Sequence, residues 1–275
     1  MPQPISTRIF TVANQKGGVG KTTSAVNVGA ALAMGGLRTL IIDLDPQGNA
    51  STAFGIARDE VLGMYEVIIK EEPIRNVALK VPGYPALEII PATQSLANAE
   101  VELVPLVARE TRLKKALTTY LTEAASRGER FDYVIIDCPP SLGLLTINAL
   151  VAADELMIPI QCEYYSLEGL SLLLHTVTLI KEHLNPNLKL STILLTMYDG
   201  RTRLANDVAD EIRRHYPKEL VDIPIPRAVR VSEAPSYGQT VMTYDPGSNG
   251  ADAYARIARE VARRGAPTIS AAEVV

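Results

Sequence analysis

The chain has 275 residues, 47% hydrophobic and 21% charged, a composition of folded globular proteins that excludes a disordered chain. A net charge of −4 and a pI of about 5.5 exclude nucleic-acid binding by bulk charge, so any such binding has to come from a local patch. The two cysteines, Cys138 and Cys162, form neither a C-x-x-C pair nor a metal-ligand spacing, which points to a reduced, cytoplasmic protein.

The segment 1–8 is short and polar and carries no apolar core of signal-peptide length. A β-rich run, Ile9 to Ala13, then leads into Asn14-Gln15-Lys16-Gly17-Gly18-Val19-Gly20-Lys21-Thr22-Thr23, and an alanine-rich helical run, Ser24 to Met34, leads out. Strand, glycine-rich loop and helix in that order make a phosphate-binding P-loop. Glycines let the backbone turn its N–H groups toward phosphate oxygens, and the helix presents its N-terminal amides to the same anion. Lys21 is placed to reach the β- and γ-phosphates of a nucleotide and the Thr22 hydroxyl to reach Mg²⁺. The strict motif G-x-x-x-x-G-K-[ST] wants glycine where Gln15 stands, and a second lysine, Lys16, precedes the paired glycines.

A second apolar strand, 39–45, ends in Asp43 and Asp45 before Pro46 and Gly48 break it. Carboxylates at the C-terminal end of a parallel strand lie on the edge where open α/β sheets bind ligands. Residues 59–70 read as a short helix and 87–91 as a strand. The segments 95–108 and 109–126 read as helical, the latter with a solvated charged face of Arg109, Arg112, Lys114 and Lys115. The strand 132–138 ends in Asp137-Cys138-Pro139-Pro140; an apolar strand ending in aspartate downstream of a P-loop is the Walker B pattern, whose carboxylate holds Mg²⁺ directly or through water. Cys138 reads as a small buried residue.

Strand and helix alternate from there: helix 142–153, strand 155–161, helix 166–184, strand 190–197, helix 202–215, an extended piece 221–225 and a last helix 249–264. The repeated βα units predict an α/β fold, one doubly wound, mostly parallel sheet flanked by helices, with 1–264 as a single domain and 265–275 as a fraying tail. The histidines at 175, 183 and 215 are scattered and read as structural or surface residues.

Four ordered motifs carry a family resemblance that runs from about residue 7 to 264. Lys16–Thr23 resembles the deviant Walker A motif of the ParA/Soj/MinD ATPases; Asp43-Leu44-Asp45-Pro46-Gln47-Gly48-Asn49 resembles the switch I segment of the ParA branch, and 135–140 its Walker B segment. The segment 226–236, with Tyr244-Asp245-Pro246 and Gly250-Ala251 after it, is similar to chromosomal ParA (Soj) proteins.

The resemblance implies an ATPase that binds ATP with Mg²⁺ and closes into a nucleotide-sandwich homodimer. It implies ATP contacts from Lys16, Gly17, Gly18, Val19, Gly20, Lys21, Thr22, Thr23, Pro226 and Ala228. Lys16 would reach the partner's phosphates, Gly17 would lie where the protomers meet, Asp45 would position the attacking water, and Thr22, Asp43 and Asp137 would serve the metal, the aspartates directly or through water. Where the family usually has asparagine this chain has Ala228, which puts a side-chain contact to the adenine in question and leaves backbone contacts from Pro226 to Ala228.

Double-stranded DNA, bound without sequence preference through Arg201 and Arg230, is a further implied ligand. A ParB/Spo0J-type protein is the implied activator of hydrolysis and the nucleoid the implied location; Arg203, Arg213 and Arg214 are weaker DNA candidates. The alternatives are a MinD-like membrane-cycling ATPase, which needs a basic amphipathic tail that 266–273 lacks, and a reductase of the nitrogenase iron-protein type, whose paired cysteines Cys138 and Cys162 match poorly.

Overall fold

Runs of apolar residues four to eight long become the middle strands of the molecule. The strands are β1 (Arg8–Val12), β2 (Thr39–Asp43), β3 (Leu79–Lys80), β4 (Leu87–Ile90), β5 (Tyr133–Asp137), β6 (Glu155–Gln161), β7 (Lys189–Thr196) and β8 (Leu220–Val221). They form one sheet in the order β3-β4-β2-β5-β1-β6-β7-β8, parallel throughout except for the two-residue β3 at one edge. The computed structural model describes residues 1–164 and 166–267.

Both faces of the sheet are covered, which is why its strands read as near-continuous apolar runs. Side chains alternate between the faces. Leu40, Ile42, Val134 and Ile136 enter one core with residues of α3 (Met64–Lys70), α4 (Ala99–Leu103), α5 (Arg112–Ser126), α6 (Leu144–Ala152), α7 (Ser166–His183) and α8 (Arg203–His215). Phe10, Val12, Ile41 and Ile135 enter the other, against α1 (Lys21–Met34), α2 (Asn49–Ala53), α9 (Val229–Glu233), α10 (Val241–Tyr244) and α11 (Asn249–Gly265). Each large apolar side chain buried in these cores stabilises the fold by about 1.5–3 kcal/mol.

One buried arginine ties the first strand to β6 and to the last helix. Arg8 Nε and Nη2 each donate to Glu155 at 2.7 Å, and Nη1 donates to the Val261 carbonyl of α11 at 2.7 Å. The two side chains are only 14% and 6% exposed. Arg8 holds the Glu155 carboxyl below its ordinary range although burial alone would push it up.

Several expected elements end elsewhere. The helix expected over 95–108 is a 3-10 turn, Gln94–Asn98, then α4, and the chain has left helix by Ala108, whose φ is +53°. The helix expected from 109 starts at Arg112, and that from 59 starts at Met64. The charged face of α5 is not wholly solvated: Arg112 is 15% exposed and donates to the carbonyls of Ile68 and Ile69 at 2.6 and 3.1 Å and to Glu71. The three histidines lie at the surface, as read. The tail expectation over 268–275 falls outside the described residues. Among the described residues no helix is long and apolar enough to cross a membrane.

Candidate nucleotide site

Sheet register brings the acidic strand ends together. Asp43 and Asp137 are direct partners across the β2–β5 ladder, and Val12, which leads into the glycine-rich loop, pairs with Asp137 on the other side. The loop is anchored below by Asn14, whose amide donates to the Pro159 carbonyl (2.8 Å) and whose Oδ1 accepts from the Lys16 N–H (3.0 Å). It is anchored above by Thr196, whose hydroxyl donates to the Val19 carbonyl (2.9 Å). Gly18 and Gly20 adopt φ of +72° and +83°, a region that side chains with a Cβ rarely enter, and Gly20 is the N-cap directly before α1. Lys21 is buried and its Nζ donates to the Lys16 carbonyl at 3.1 Å; burial pushes its pKa down, while Asp137 and Asp45 act against that.

The carboxylates are buried deeply and poorly satisfied. Asp43 Oδ2 accepts from the Ser51 N–H (2.7 Å) and hydroxyl (2.6 Å), and its Oδ1 has no partner. Neither oxygen of Asp137 has a hydrogen-bond partner. Burial above all raises the Asp43 carboxyl to about 6, against the Ser51 bonds and aided by Asp45. Burial, then the charge on Asp43, pushes Asp137 well above the ordinary range, with Thr22 and Lys21 easing it. Orphaned carboxylate oxygens beside a threonine hydroxyl and a P-loop fit the donor set of Mg²⁺, which takes one or two protein oxygens together with phosphates and waters. Among the described residues no group of three or more His, Cys, Asp or Glu is placed to hold a metal by itself, so the remaining ligands would come from nucleotide and water.

Asp45 sits past the end of β2, buried at the lip of the loop. Its Oδ1 accepts from the Gln47 N–H (2.9 Å) and its carbonyl from the Gly48 N–H (2.8 Å). Two contiguous clefts open here. One, of about 500 Å³, is lined by Gly17, Gly18, Gly20, Lys21, Thr22, Thr23 and Asp45 among others. The other, of about 380 Å³, shares Gly20 and Thr23 and is walled by Pro226, Arg227 and Ala228 and by Tyr254. Together the two clefts have the size of a small-molecule binding site.

Lys16 is turned away from the clefts, with its Nζ 2.5 Å from Glu163 Oε2. A Cβ at Gly17 would meet nothing within 4 Å. Arg201 and Arg230 lie apart from the clefts on the surface. Arg201 is 90% exposed and forks onto Asp199 (2.8 and 2.7 Å); Arg230 is 59% exposed beside Glu233 (3.1 Å) and Asp245 (3.9 Å). Arg213 bridges Asp210 and Asp222, and Arg214 pairs with Glu211. Cys138 and Cys162 are free and buried.

Sequence reasoning missed Glu163, Ser51 and the short helix α9, whose Val231 and Ser232 line both clefts. Ser51 left a faint signal, a small polar residue opening a helix beyond the Asp43 strand; Glu163 left none.

A glycine loop between strand and helix, with two acidic strand ends in register beside it, defines the molecule as a P-loop nucleotide-binding protein of the deviant Walker A type. A family model described as an AAA domain matches residues 7–190. The chain is 49% identical to the sporulation initiation inhibitor protein Soj of Bacillus subtilis, over 94% of this chain and 99% of that one. It is 48% identical to the chromosome partitioning protein ParA of Myxococcus xanthus, over 94% and 89% of the two chains. A solved structure titled cobyrinic acid a,c-diamide synthase from Mycobacterium smegmatis, with bound ADP and magnesium, superposes with a TM-score of 0.79 at 36% identity, over 96% of this chain and 99% of that one. The chain belongs to the ParA/Soj family of chromosome-partitioning ATPases.

Proposed function

We propose that this chain is a partition ATPase in which ATP and Mg²⁺ close two copies into a sandwich dimer that holds DNA without sequence preference. Residues 1–264 act as one ATPase unit. A ParB/Spo0J-type protein stimulates hydrolysis and so releases the dimer from the nucleoid. The observation that carries the reading is the pair of register-matched, buried carboxylates with orphaned oxygens at the mouth of a P-loop. Such groups are costly unless a cation faces them.

Residues 17–23 wrap the phosphates, with Lys21 on the β- and γ-phosphates and Thr22 on the metal. Asp137 and Asp43 serve the metal, and the base lies against Pro226 and Ala228. Mg²⁺ supplies neutralisation of the charge that develops on the transferred phosphoryl group. Asp45 orients the attacking water. Lys16 leaves Glu163 and crosses to the other copy, where its ammonium faces the same developing charge.

Arg201 pairs with one carboxylate and Arg230 with two, all of which a phosphate can replace, and two protomers side by side double the patch, which makes DNA binding depend on ATP. The test is retention on nonspecific duplex DNA and on anionic vesicles, each with ATP and with ADP. ATP-dependent binding to DNA that falls steeply with salt and drops in Arg230→Ala is the expected result. ATP-dependent retention on vesicles without DNA binding sinks the partition reading.

A further inference from the structure

Arg58 has no part in the roles above, yet its guanidinium reaches the loop that carries Asp45. Nη2 donates to the Pro46 carbonyl (2.6 Å), Nη1 to the Gln47 carbonyl (2.5 Å) and Nε to the Ala92 carbonyl (2.7 Å). Pro46 and Gln47 directly follow Asp45, and Ala92 lies just beyond the end of β4. The loop is shaped around the arginine: Gly48 has φ +65°, and a Cβ there would fall 2.0 Å from Arg58 Cζ. Ala92 ties the far end of the same segment as well, because its N–H donates to Ser51 Oγ (3.0 Å), and Ser51 donates to Asp43 (2.6 Å).

One residue beside β4, Ala92, therefore holds the acidic loop at both ends, through Arg58 on its carbonyl oxygen and through Ser51 on its N–H. We propose that Arg58 is a positioning residue for hydrolysis, a clamp that fixes where the Asp45 carboxylate points. Charge-assisted bonds from a rigid planar fork suit this task. A lysine brings the charge but cannot span three carbonyls, and a glutamine brings neither the charge nor the reach.

The inference rests on the reading of Asp45 as the group that orients water. Displacement of a reacting group by an ångström costs up to about 100-fold in rate, whereas the backbone assigned above to the phosphates is that of residues 17–23, outside the clamped segment.

The experiment compares the full chain with Arg58→Gln, Arg58→Lys and Asp45→Ala. It measures Mg²⁺-ATP affinity, turnover at saturating ATP with nonspecific DNA, and hydrogen exchange of individual amides. Expected for Arg58→Gln is turnover about 10- to 100-fold down with ATP affinity within about threefold of wild type. The Gln47 and Gly48 amides, which report the loop, should exchange faster while those of β1 and β5 keep their protection. Arg58→Lys should fall between, and it stands in if Arg58→Gln does not fold. Wild-type turnover in both Arg58 variants, with Asp45→Ala inactive, overturns the clamp. Loss of turnover accompanied by raised exchange across the whole sheet overturns it too, since that marks a structural role. Wild-type turnover in Asp45→Ala overturns the reading of Asp45 beneath it.

Discussion

Lys16 Nζ donates to Glu163 Oε2 at 2.5 Å, so the lysine assigned to a second protomer is held, in the single chain, by a carboxylate just after β6. Glu163 is itself steadied by Gln161, whose amide donates to its other oxygen at 2.6 Å. The lysine is 38% exposed and the glutamate 47%, so the pair is worth at most about 1 kcal/mol. It restrains Lys16 without locking it. Glu163→Gln should shift ATP-dependent dimerisation to a protein concentration up to about fivefold lower. Lys16→Ala should keep ATP affinity within about threefold and lose both dimer and turnover. Light scattering with ATP and an equilibrium nucleotide titration check the two variants. Unchanged turnover in Lys16→Ala removes Lys16 from the mechanism.

Gly17 faces open space in the single chain. Gly17→Val should therefore fold with a melting temperature within about 2 °C of wild type, since surface changes away from special features stay within about 0.5 kcal/mol. It should bind ATP and remain monomeric at concentrations where wild type pairs. Sedimentation with ATP reads this out, and a Gly17→Val dimer would place the protomer contact elsewhere.

Asp45→Ala should give an ATP-bound dimer that does not turn over, because Asp43, Asp137 and the glycine loop, the groups proposed to hold metal and phosphate, are left in place. Rapid quench of a single turnover is the measurement. Hydrolysis at the wild-type rate would assign water activation to another group.

Arg8→Ala strands the buried Glu155 and also removes a bond to α11, so it should cost about 3 kcal/mol by urea unfolding. The pH dependence follows from the depressed Glu155 carboxyl. A group whose folded pKa lies below its unfolded value contributes stability that is present above the unfolded value and is lost as pH falls through the folded one. The stability gap between wild type and Arg8→Ala should therefore close on acidification below the ordinary glutamate range. A gap that stays constant down to pH 2 would mean packing, not charge, accounts for the loss.

The parts of the site that sit on strands were legible because a strand buried on both faces leaves an unbroken apolar run with its ligand-facing residue at the end, as in 39–43 and 133–137. The glycine loop was legible because only glycine suits its backbone at Gly18 and Gly20. Arg58 was not, for a physical reason: it acts on main-chain carbonyls, which every residue possesses, so its partners impose no pattern on the sequence. Glu163 pairs with a residue 147 positions away, and such a contact exists only once β1 and β6 are neighbours. The segments 95–108 and 109–111 read as helix because their composition suits helix; the left-handed backbone at Ala108, a conformation alanine rarely adopts, interrupts it.

The open ground above Gly17 also carries a genetic consequence. The fold places no demand of its own on that position, so in the proposed sandwich dimer selection there comes from the nucleotide and from the second copy of the chain. In a cell holding both alleles, a Gly17→Val product cannot pair with wild-type chains and should behave as recessive. An Asp45→Ala product pairs with them, withholds release, and should be dominant.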